Sequence, residues 1–308
     1  AKTKLEAYAN GQTMRKRQSP KRKKSNAPDS VQKKTTTRKK TQPNTEPTIT
    51  YTAPVEEQHN IIFKPNAGPQ TDFLAAGERE VLFGGSAGGG KSYAMLADPL
   101  RFMGHPAFSG LLLRHTTEEL RELIFKSQEM YPKIWPGIKW SERKMQWTAP
   151  SGARLWMSYL DREDDVLRYQ GLAFSWIGFD ELTQWPTPFA WNYMRSRLRS
   201  TAPDLPVYMR ATTNPGGRGH HWVKKMFIDP AAYGVAFEAT DIETSEVLRY
   251  PAGHAKAGKH LFKRRFIPAR LSDNPYLAEQ GDYEAMLLSL PEQQRRQLLD
   301  GDWDIKEG

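Results

Sequence analysis

The stretch Gly85-Ser86-Ala87-Gly88-Gly89-Gly90-Lys91-Ser92 decides the fold of this chain. It matches the pattern G-x-x-x-x-G-K-[ST] at every specified position, and an apolar run that is typical of a strand, Val81-Leu82-Phe83, precedes it. In such a loop, glycines let backbone N–H groups turn toward phosphate oxygens, and the next helix adds its positive N-terminal end. We therefore predict a nucleotide-binding loop in which Lys91 reaches the β- and γ-phosphates and Ser92 ligates Mg²⁺. A flexible glycine linker is the alternative.

An acidic element follows later in the chain, where the apolar segment at residues 174–179 ends at Asp180-Glu181. Mg²⁺ takes oxygen ligands, and nucleotide hydrolysis needs an oriented water molecule. We predict that Asp180 holds the Mg²⁺ shell through water and that Glu181 activates the attacking water as general base. An acidic pair at a strand end also commonly caps the next helix, but the nucleotide-binding loop favours the first interpretation. The adjacent glutamate favours a hydrolase over a small-molecule kinase.

A third polar element follows the next predicted strand, residues 207–212, and ends in the turn signal Asn214-Pro215-Gly216-Gly217. The side chains of Thr212, Thr213 and Asn214 stand where a γ-phosphate sensor is expected. The turn would then pass the loss of that phosphate to mobile parts of the protein. Taken alone, the segment indicates only a turn.

Gln70 precedes the first predicted strand, in Gly68-Pro69-Gln70-Thr71-Asp72-Phe73. A glutamine amide carries both donors and an acceptor, which suits the edge of an adenine base. We predict this role for Gln70, with an ordinary exposed glutamine as the alternative.

Strand and helix signals alternate along the chain. Strands are predicted at residues 80–83 and 111–113, a helix follows the capping-box sequence Thr116-Thr117-Glu118-Glu119, and residues 145–148 and 154–159 form a hairpin. Such alternation predicts an α/β fold with a mainly parallel sheet that helices cover on both faces.

The positive charge of the chain is concentrated near its N-terminus. The formal net charge of the 308 residues is +10, but residues 1–40 hold 14 Lys and Arg against two acids, which leaves 31 basic and 33 acidic residues from position 41 onward. We expect residues 1–50 to be a disordered basic tail, because they hold too few apolar residues to bury, and residues 51–308 to form the folded domain. The tail either binds nucleic acid through counterion release or only adds solubility.

Composition also excludes several classes of protein. The chain has no cysteine, which excludes disulfide scaffolds, thiol nucleophiles and Cys-ligated zinc. No apolar stretch approaches the roughly 20 residues that cross a bilayer, and the N-terminus lacks the apolar region of a secretory signal. We therefore expect a soluble intracellular protein.

The order of these elements resembles the large subunit of tailed-phage terminases, the motor that packages DNA into procapsids. The resemblance covers about residues 63–303, which is most of the expected folded part, and its most specific parts are the Asn-Pro-Gly-Gly turn and the closing Gly-Asp-Trp. The matching residues are Gln70-Thr71-Asp72-Phe73, the loop at residues 85–92, Gly178-Phe179-Asp180-Glu181, Thr212-Thr213-Asn214-Pro215-Gly216-Gly217, Gly219-His220-His221-Trp222, Phe266-Ile267-Pro268-Ala269, Asp273-Asn274-Pro275 and Leu298-Leu299-Asp300-Gly301-Asp302-Trp303.

The resemblance implies a P-loop ATPase of the additional-strand, catalytic-glutamate type that uses ATP and Mg²⁺. In that fold the sensor strand lies between the strands that lead to Lys91 and Asp180. The resemblance further implies a ring, commonly pentameric, that docks on the portal protein in the host cytoplasm. Its other partners would be double-stranded DNA and a small terminase subunit, with no membrane involved.

In such rings an arginine of the neighbouring subunit completes the site. We expect Arg168 to be this arginine and rank Arg162 second, because Arg162 stands among acids and is also expected to pair with them. Arg195, Arg197 and Arg199 follow an aromatic stretch and line either a DNA or subunit surface or a solvated face.

One departure from the family concerns the nuclease. Large terminase subunits usually continue into a ribonuclease H-like domain, for which the sequence up to Gly308 leaves no room, so we do not expect DNA cutting by this chain. Two alternatives to a packaging motor are a helicase or recombinase-like ATPase and a nucleic-acid-binding assembly subunit that does not hydrolyse ATP.

Overall fold

A nine-stranded sheet runs through residues 63–305, the part of the chain that the computed structural model describes. The predicted tail, residues 1–50, and its boundary at residue 51 lie outside this part. The strands are β1 (Glu80–Gly85), β2 (Ser109–Arg114), β3 (Lys139–Ser141), β4 (Gln146–Thr148), β5 (Arg154–Tyr159), β6 (Trp176–Asp180), β7 (Tyr208–Thr213), β8 (Ala236–Glu238) and β9 (Lys263–Ala269). Their order across the sheet is β3-β4-β5-β2-β6-β7-β1-β9-β8.

The central strands run parallel, as the sequence predicts. β1 pairs in parallel with β7 and β9, β2 with β5 and β6, and β6 with β7, whereas β3, β4 and β8 pair antiparallel near the two margins. The predicted hairpin is confirmed as β4 and β5. β7 lies between β1 and β6, which confirms the position that the resemblance implies for the sensor strand.

The strand that ends at the acidic pair begins later than predicted. The prediction starts it at residue 174, but β6 begins at Trp176. Phe174 forms an isolated parallel bridge with Leu198, in which its backbone N–H donates to Arg197 and its oxygen accepts from Arg199. The hydrogen-bonding groups of the Phe174 backbone thus pair with residues 197–199 and do not extend β6 in the central sheet.

Helices cover both faces of the sheet and bury continuous apolar strands. Val81 and Phe83 pack on one face with α1 (Pro69–Ala75), α2 (Lys91–Ala97) and α3 (Thr117–Ile134). Leu82 packs on the other face with α4 (Phe189–Arg195) and α5 (His220–Val223). No helix in residues 63–305 is both long and apolar enough to span a membrane. The helices are α1 (Pro69–Ala75), α2 (Lys91–Ala97), α3 (Thr117–Ile134), α4 (Phe189–Arg195), α5 (His220–Val223), α6 (Pro275–Ala278), α7 (Asp282–Leu288) and α8 (Glu292–Leu298).

The predicted capping box at the start of α3 is only half formed. Thr116 Oγ1 accepts a hydrogen bond from the Glu119 backbone N–H at 3.3 Å, as an N-cap does. The Glu119 carboxylate turns away from the cap, and its Oε1 accepts from Gln184 Nε2 at 2.7 Å. A contact with a distant segment therefore replaces the second half of the box.

Glu80, the first residue of β1, holds a buried ion cluster. Its side chain is fully buried, Arg264 Nε donates to its Oε2 at 2.8 Å, and Arg195 Nε donates to its Oε1. Arg195 therefore neutralises this carboxylate, a role that the sequence does not indicate, while its 23% exposed side chain leaves a DNA or subunit surface as a prediction. Burial alone would raise the pKa of Glu80, but the two guanidinium groups lower it below its ordinary value of 4.5.

Replacing Glu80 with Gln tests this cluster. The substitution leaves two guanidinium charges without their counterion, and breaking a buried pair in this way costs about 3–5 kcal/mol of unfolding free energy. Urea denaturation at pH 7 measures the loss. Glu129→Gln, on the exposed face of α3, is the matched control and should stay within about 0.5 kcal/mol of the parent.

The pH dependence of unfolding, compared between the parent and Glu80→Gln, tests the direction of the pKa shift of Glu80. Because the pKa of Glu80 is lowered in the folded chain, its stabilisation is complete above pH 4.5 and is lost as the pH falls toward the lowered value. The difference between the parent and Glu80→Gln should therefore shrink below that pH. A constant difference would contradict the assignment.

Candidate functional site

The carboxyl ends of four parallel strands meet at one edge of the sheet. β1 ends at Gly85, β2 at Arg114, β6 at Asp180 and β7 at Thr213. The pairing of β6 with β7 places Asp180 directly beside Thr212. Segments that lie far apart in the sequence are therefore brought to one place.

Glycines shape the loop after β1. Gly85 has a φ of 136°, and a Cβ there would lie 2.2 Å from the backbone oxygen of Ala269. Gly90 has a φ of 78° and forms the N-cap of α2 without a side-chain cap, so the first amides of α2 have no acceptor within the helix. The loop and helix start thus have the backbone arrangement that phosphate binding requires.

Lys91 is buried at the centre of the site, with 6% of the residue exposed. Its Nζ donates to the backbone oxygen of Ser86 at 2.6 Å and to Asn214 Oδ1 at 2.8 Å. Burial lowers the pKa of Lys91, while the charges of Glu181 and Asp180 act to raise it. The ammonium group therefore lies between the loop and the acidic pair, where it can reach phosphate oxygens.

Asp180 has one carboxylate oxygen that suits a metal-bound water. Thr212 Oγ1 donates to Asp180 Oδ1, whereas Oδ2 is buried and has no hydrogen-bond partner in residues 63–305. Ser92, in the first turn of α2, adds a hydroxyl oxygen. In residues 63–305 no group of three or more Asp, Glu, His or Cys side chains is arranged so that it could hold a metal ion by itself. These residues fit an Mg²⁺ that takes its other ligands from phosphate and water.

Glu181 adopts a left-handed backbone, with φ 59° and ψ 58°, that is uncommon for a residue with a Cβ. Its Oε2 accepts from the Asn214 backbone N–H at 3.3 Å and from Thr213 Oγ1 at 3.5 Å. The side chain is 23% exposed, so water can reach it. Burial and then the charge of Asp180 raise the pKa of Glu181 against the effect of two nearby cations. A raised carboxylate pKa suits a proton acceptor.

The sensor candidates join the nucleotide-binding loop to the acidic pair. Asn214 accepts from Lys91 through its side chain and donates to Glu181 through its backbone N–H. Thr213 Oγ1 lies 2.7 Å from Thr183 Oγ1 and accepts from the Thr183 backbone N–H at 3.2 Å. The structure therefore brings these residues together at the nucleotide-binding loop, as the sequence predicts.

Gln70 lies beside the loop, but the protein backbone occupies both ends of its amide. Oε1 accepts from Asn66 N at 2.6 Å, and Nε2 donates to the Gly90 oxygen at 2.9 Å. The residue is only 4% exposed. Binding of adenine by Gln70 stays a prediction, and its contact with the loop is a structural role that the sequence does not indicate.

Arg168 makes its contacts away from this cluster. Its guanidinium donates to the Tyr159 backbone oxygen and stacks on the rings of Tyr159 and Tyr169, each 5.6 Å from the ring centroid. The side chain is 43% exposed and lies 3.9 Å from Asp165. The competing candidate, Arg162, pairs with Asp164 at 3.3 Å. The role of Arg168 in a neighbouring subunit therefore stays a prediction.

Three residues of the site escape the sequence analysis. Arg114 Nη1 lies 3.0 Å from Asp180 Oδ2, Glu119 Oε2 lies 3.9 Å from Arg114 Nε, and Gln184 donates to the other Glu119 oxygen. Arg114 directly follows the predicted strand Leu111-Leu112-Leu113, as Asp180 follows its own apolar strand. That shared position is the signal that could have revealed it, provided the adjacency of β2 and β6 had been known.

Residues 298–301, near the C-terminus, contact the backbone of the nucleotide-binding loop. The Ala87 N–H donates to the Leu298 oxygen at 2.6 Å. Gly301 has a φ of 63°, and a Cβ there would lie 2.7 Å from the backbone nitrogen of Ser86. The close approach to Ser86 and the positive φ explain why a glycine stands at position 301, in the closing Gly-Asp-Trp element.

Comparison with protein families supports the fold and the resemblance. Residues 82–308 match the model of Terminase_6N, described as terminase large subunit, T4likevirus-type, N-terminal. No curated protein matches the sequence.

Solved structures with this fold include two phage proteins. The large terminase of the thermophilic bacteriophage D6E, in complex with ADP, has a TM-score of 0.55 and 17% identity over 78% of this chain and 54% of its own. The large terminase ATPase domain of Thermus phage P74-26 has a TM-score of 0.50 and 12% identity over 78% of this chain and 94% of its own. This chain thus spans about half the length of the D6E protein.

The support from the C-terminal segment can be tested with two glycines. In Gly301→Ala the new Cβ collides with the loop backbone, so we expect lower thermal stability and about tenfold weaker binding of fluorescent ADP, which corresponds to ~1.4 kcal/mol. Gly281 has a similar φ of 69° with nothing within 4 Å of an added Cβ. Gly281→Ala should therefore show only the backbone strain of about 1–2 kcal/mol, with unchanged ADP binding. Equal ADP binding by the two variants would contradict the contact.

Proposed function

We infer the function of this chain from its family, because it belongs to the T4likevirus-type terminase large subunits and matches their N-terminal region. We propose that it is an ATP-hydrolysing motor that moves double-stranded viral DNA into a procapsid. One observation carries the proposal: hydrogen bonds join Lys91 of the nucleotide-binding loop, Asn214 of the sensor segment and Glu181 of the acidic pair.

ATP binds at residues 85–92 in this proposal. The loop amides and Lys91 would hold its phosphates, and Ser92 and Asp180 would hold Mg²⁺, Asp180 through water. When bound, Mg²⁺ neutralises phosphate charge. The D6E large terminase was solved with ADP, which supports a nucleotide at the corresponding loop.

Glu181 acts as the general base. Its Oε2 is held by Asn214 and Thr213, which leaves Oε1 to accept a proton from the attacking water. The water oxygen bonds to the γ-phosphorus as the bond from that phosphorus to the bridging oxygen breaks, and ADP leaves with the electron pair. The left-handed turn at Glu181 places the carboxylate against the sensor segment, so the base is held in position before the substrate arrives.

Asn214 couples the phosphate to the rest of the protein. Lys91 and Glu181 both contact it, so removal of the γ-phosphate takes a negative charge away from beside two of its neighbours at once. The turn that follows packs tightly: a Cβ at Gly216 would lie 2.6 Å from Gln297 of α8, and a Cβ at Gly217 would lie 2.9 Å from the Thr183 oxygen. A shift at Asn214 therefore reaches both α8 and the segment after the acidic pair.

The motor works as a ring on the portal protein in the host cytoplasm, a pentamer in our proposal, with a small terminase subunit as a further partner. Arg168 is exposed, contacts two tyrosine rings and makes no contact with Lys91, Asp180 or Glu181 within residues 63–305, which suits a role toward a neighbouring subunit. Residues 1–50 form a basic arm that adds salt-dependent contacts with DNA, and residues 51–308 form the motor domain.

Replacing Glu181 with Gln tests the base. The amide keeps the shape and the acceptor oxygen but cannot take the proton, so ATP binding should persist while hydrolysis falls by about 10²–10⁴-fold. Phosphate release in the presence of DNA and portal measures turnover, and fluorescent ATP measures binding. Glu284→Gln, on exposed α7, is the matched control. Hydrolysis by Glu181→Gln at the parent rate would show that another group is the base.

Mixed rings test Arg168. Arg168→Ala should lower hydrolysis by about 10³-fold or more, whereas Arg143→Ala, at another exposed arginine, should not. Mixing Arg168→Ala with Glu181→Gln subunits should restore part of the activity, because an intact Glu181 then meets an intact Arg168 from its neighbour. Rings that form, as measured by mass photometry, but regain no activity would refute a role in trans.

A further inference from the structure

His220 contacts the turn that follows the sensor candidates. It is the first residue of α5 and is only 6% exposed. Its Nδ1 accepts a hydrogen bond from the Gly216 backbone N–H at 2.8 Å, and Gly216 follows Asn214 by two residues. Because Nδ1 is an acceptor here, the proton of the neutral imidazole stands on Nε2. The position of the ring therefore depends on the turn.

The flat face of the same imidazole packs on Trp303. The two ring centroids lie 5.3 Å apart and the ring planes are 18° from parallel, which is a stacked arrangement. Trp303 is 2% exposed and also contacts β1 and β9. A Cβ at Gly84 would lie 3.5 Å from its ring, and the Phe266 ring meets it edge-on at 5.9 Å. One side chain thus joins the turn to Trp303, by a hydrogen bond at its edge and stacking on its face.

Trp303 ends a stretch of chain that also contacts the nucleotide-binding loop. We call this stretch, residues 298–303, the closing segment. The Leu298 oxygen accepts from the Ala87 N–H at 2.6 Å, and Gly301 lies against the backbone of the same loop. The loop contacts stand in the first part of the closing segment, and the stacked histidine stands at its last residue. Two parts of the nucleotide site are therefore joined to one short stretch of chain.

We propose that His220 is a positioning residue that holds the sensor segment ready for the γ-phosphate and links that phosphate to Trp303. This inference rests on the proposed function, because it takes Asn214 as the sensor. Histidine suits the position because it combines an acceptor nitrogen with an aromatic face, and the structure uses both. Phenylalanine would lack the acceptor, and asparagine would lack the face.

The two inputs to the closing segment differ in what they detect. The loop amides face phosphates that ATP and ADP share. Asn214 contacts Lys91 and Glu181, beside the expected position of the phosphate that only ATP carries. The amide two residues later donates to His220, so a shift of Asn214 moves that hydrogen bond. The first part of the closing segment thus responds to any nucleotide, and its last residue responds to the γ-phosphate.

This separation has a measurable consequence. Coupling between two sites is reciprocal, so a contact that responds to the γ-phosphate also changes the affinity for it. Loss of the His220 contacts leaves the sensor segment less ordered, and ATP must then order it on binding. Binding of ATP should therefore weaken while binding of ADP stays the same. A merely structural role would weaken both nucleotides alike, as we expect for Gly301→Ala.

Isothermal titration calorimetry of the full chain with Mg²⁺ measures the dissociation constants of ADP and of AMPPNP, an ATP analogue with a non-hydrolysable bridge. His220→Phe keeps the aromatic face without the acceptor, and His220→Asn keeps a short acceptor without the ring. We expect each variant to weaken AMPPNP binding by about 5-fold, at the lower end for coupled sites, with unchanged ADP binding. His221→Phe, at the exposed neighbouring histidine, is the matched control and should bind both nucleotides as the parent does.

Hydrogen–deuterium exchange follows the same signal in the closing segment. In the parent, AMPPNP and ADP should give different exchange rates at residues 302–303, because only AMPPNP carries the third phosphate. His220→Phe should remove that difference. Trp303→Phe keeps a ring for stacking and should preserve it.

The outcomes separate the inference from the proposed function. Unchanged AMPPNP binding in both folded His220 variants, or equal weakening of AMPPNP and ADP, would overturn the inference. If His220→Phe does not fold by circular dichroism, His220→Asn decides the question, because asparagine is smaller than histidine and fits the same space. A parent chain that shows the expected shifts but never hydrolyses ATP with DNA and portal present would refute the proposed function and leave the role of His220 intact.

Discussion

The buried charge of Lys91 is the interaction on which the rest of the site depends. An ammonium group with 6% exposure has lost most of its hydration and must find oxygen atoms within the protein. Ser86 and Asn214 supply two of them, and the carboxylates of Asp180 and Glu181 supply the opposite charge. The loop, the sensor segment and the acidic pair are therefore held together before any nucleotide is present.

Strand order is what allows this arrangement. β7 lies between β1 and β6, so the sensor segment stands between the nucleotide-binding loop and the acidic pair. The nucleotide-binding loop follows the last residue of β1, and the ion cluster of Glu80 with Arg195 and Arg264 stabilises the first residue of that strand. One strand thus carries a closed ion cluster at its start and a loop open to ligand at its end. This separates residues that stabilise the fold from residues that can act on a substrate.

The charges of the site nearly cancel one another. Two adjacent carboxylates and Glu119 stand against Lys91 and Arg114, which leaves a small negative excess suited to a divalent cation. The raised pKa of Glu181 and the lowered pKa of Lys91 share one main cause, the burial of both groups. Binding of nucleotide and metal would therefore rearrange existing ion pairs instead of creating charges in an unprepared pocket.

The sequence alone determined the parts of the site that local chemistry dictates. A glycine-rich loop after an apolar strand, an acidic pair at a strand end and a polar turn each follow from residue type and spacing, and so does the α/β class. The sequence alone did not predict the contacts between distant segments. Arg114 became a site residue only because β2 pairs with β6. The Glu119 carboxylate bonds Gln184 instead of completing the capping box, and Arg195 became an ion-pair partner of the buried Glu80. The tertiary structure decided these roles, because a charged side chain takes the partner that folding places beside it, and sequence spacing does not specify that partner.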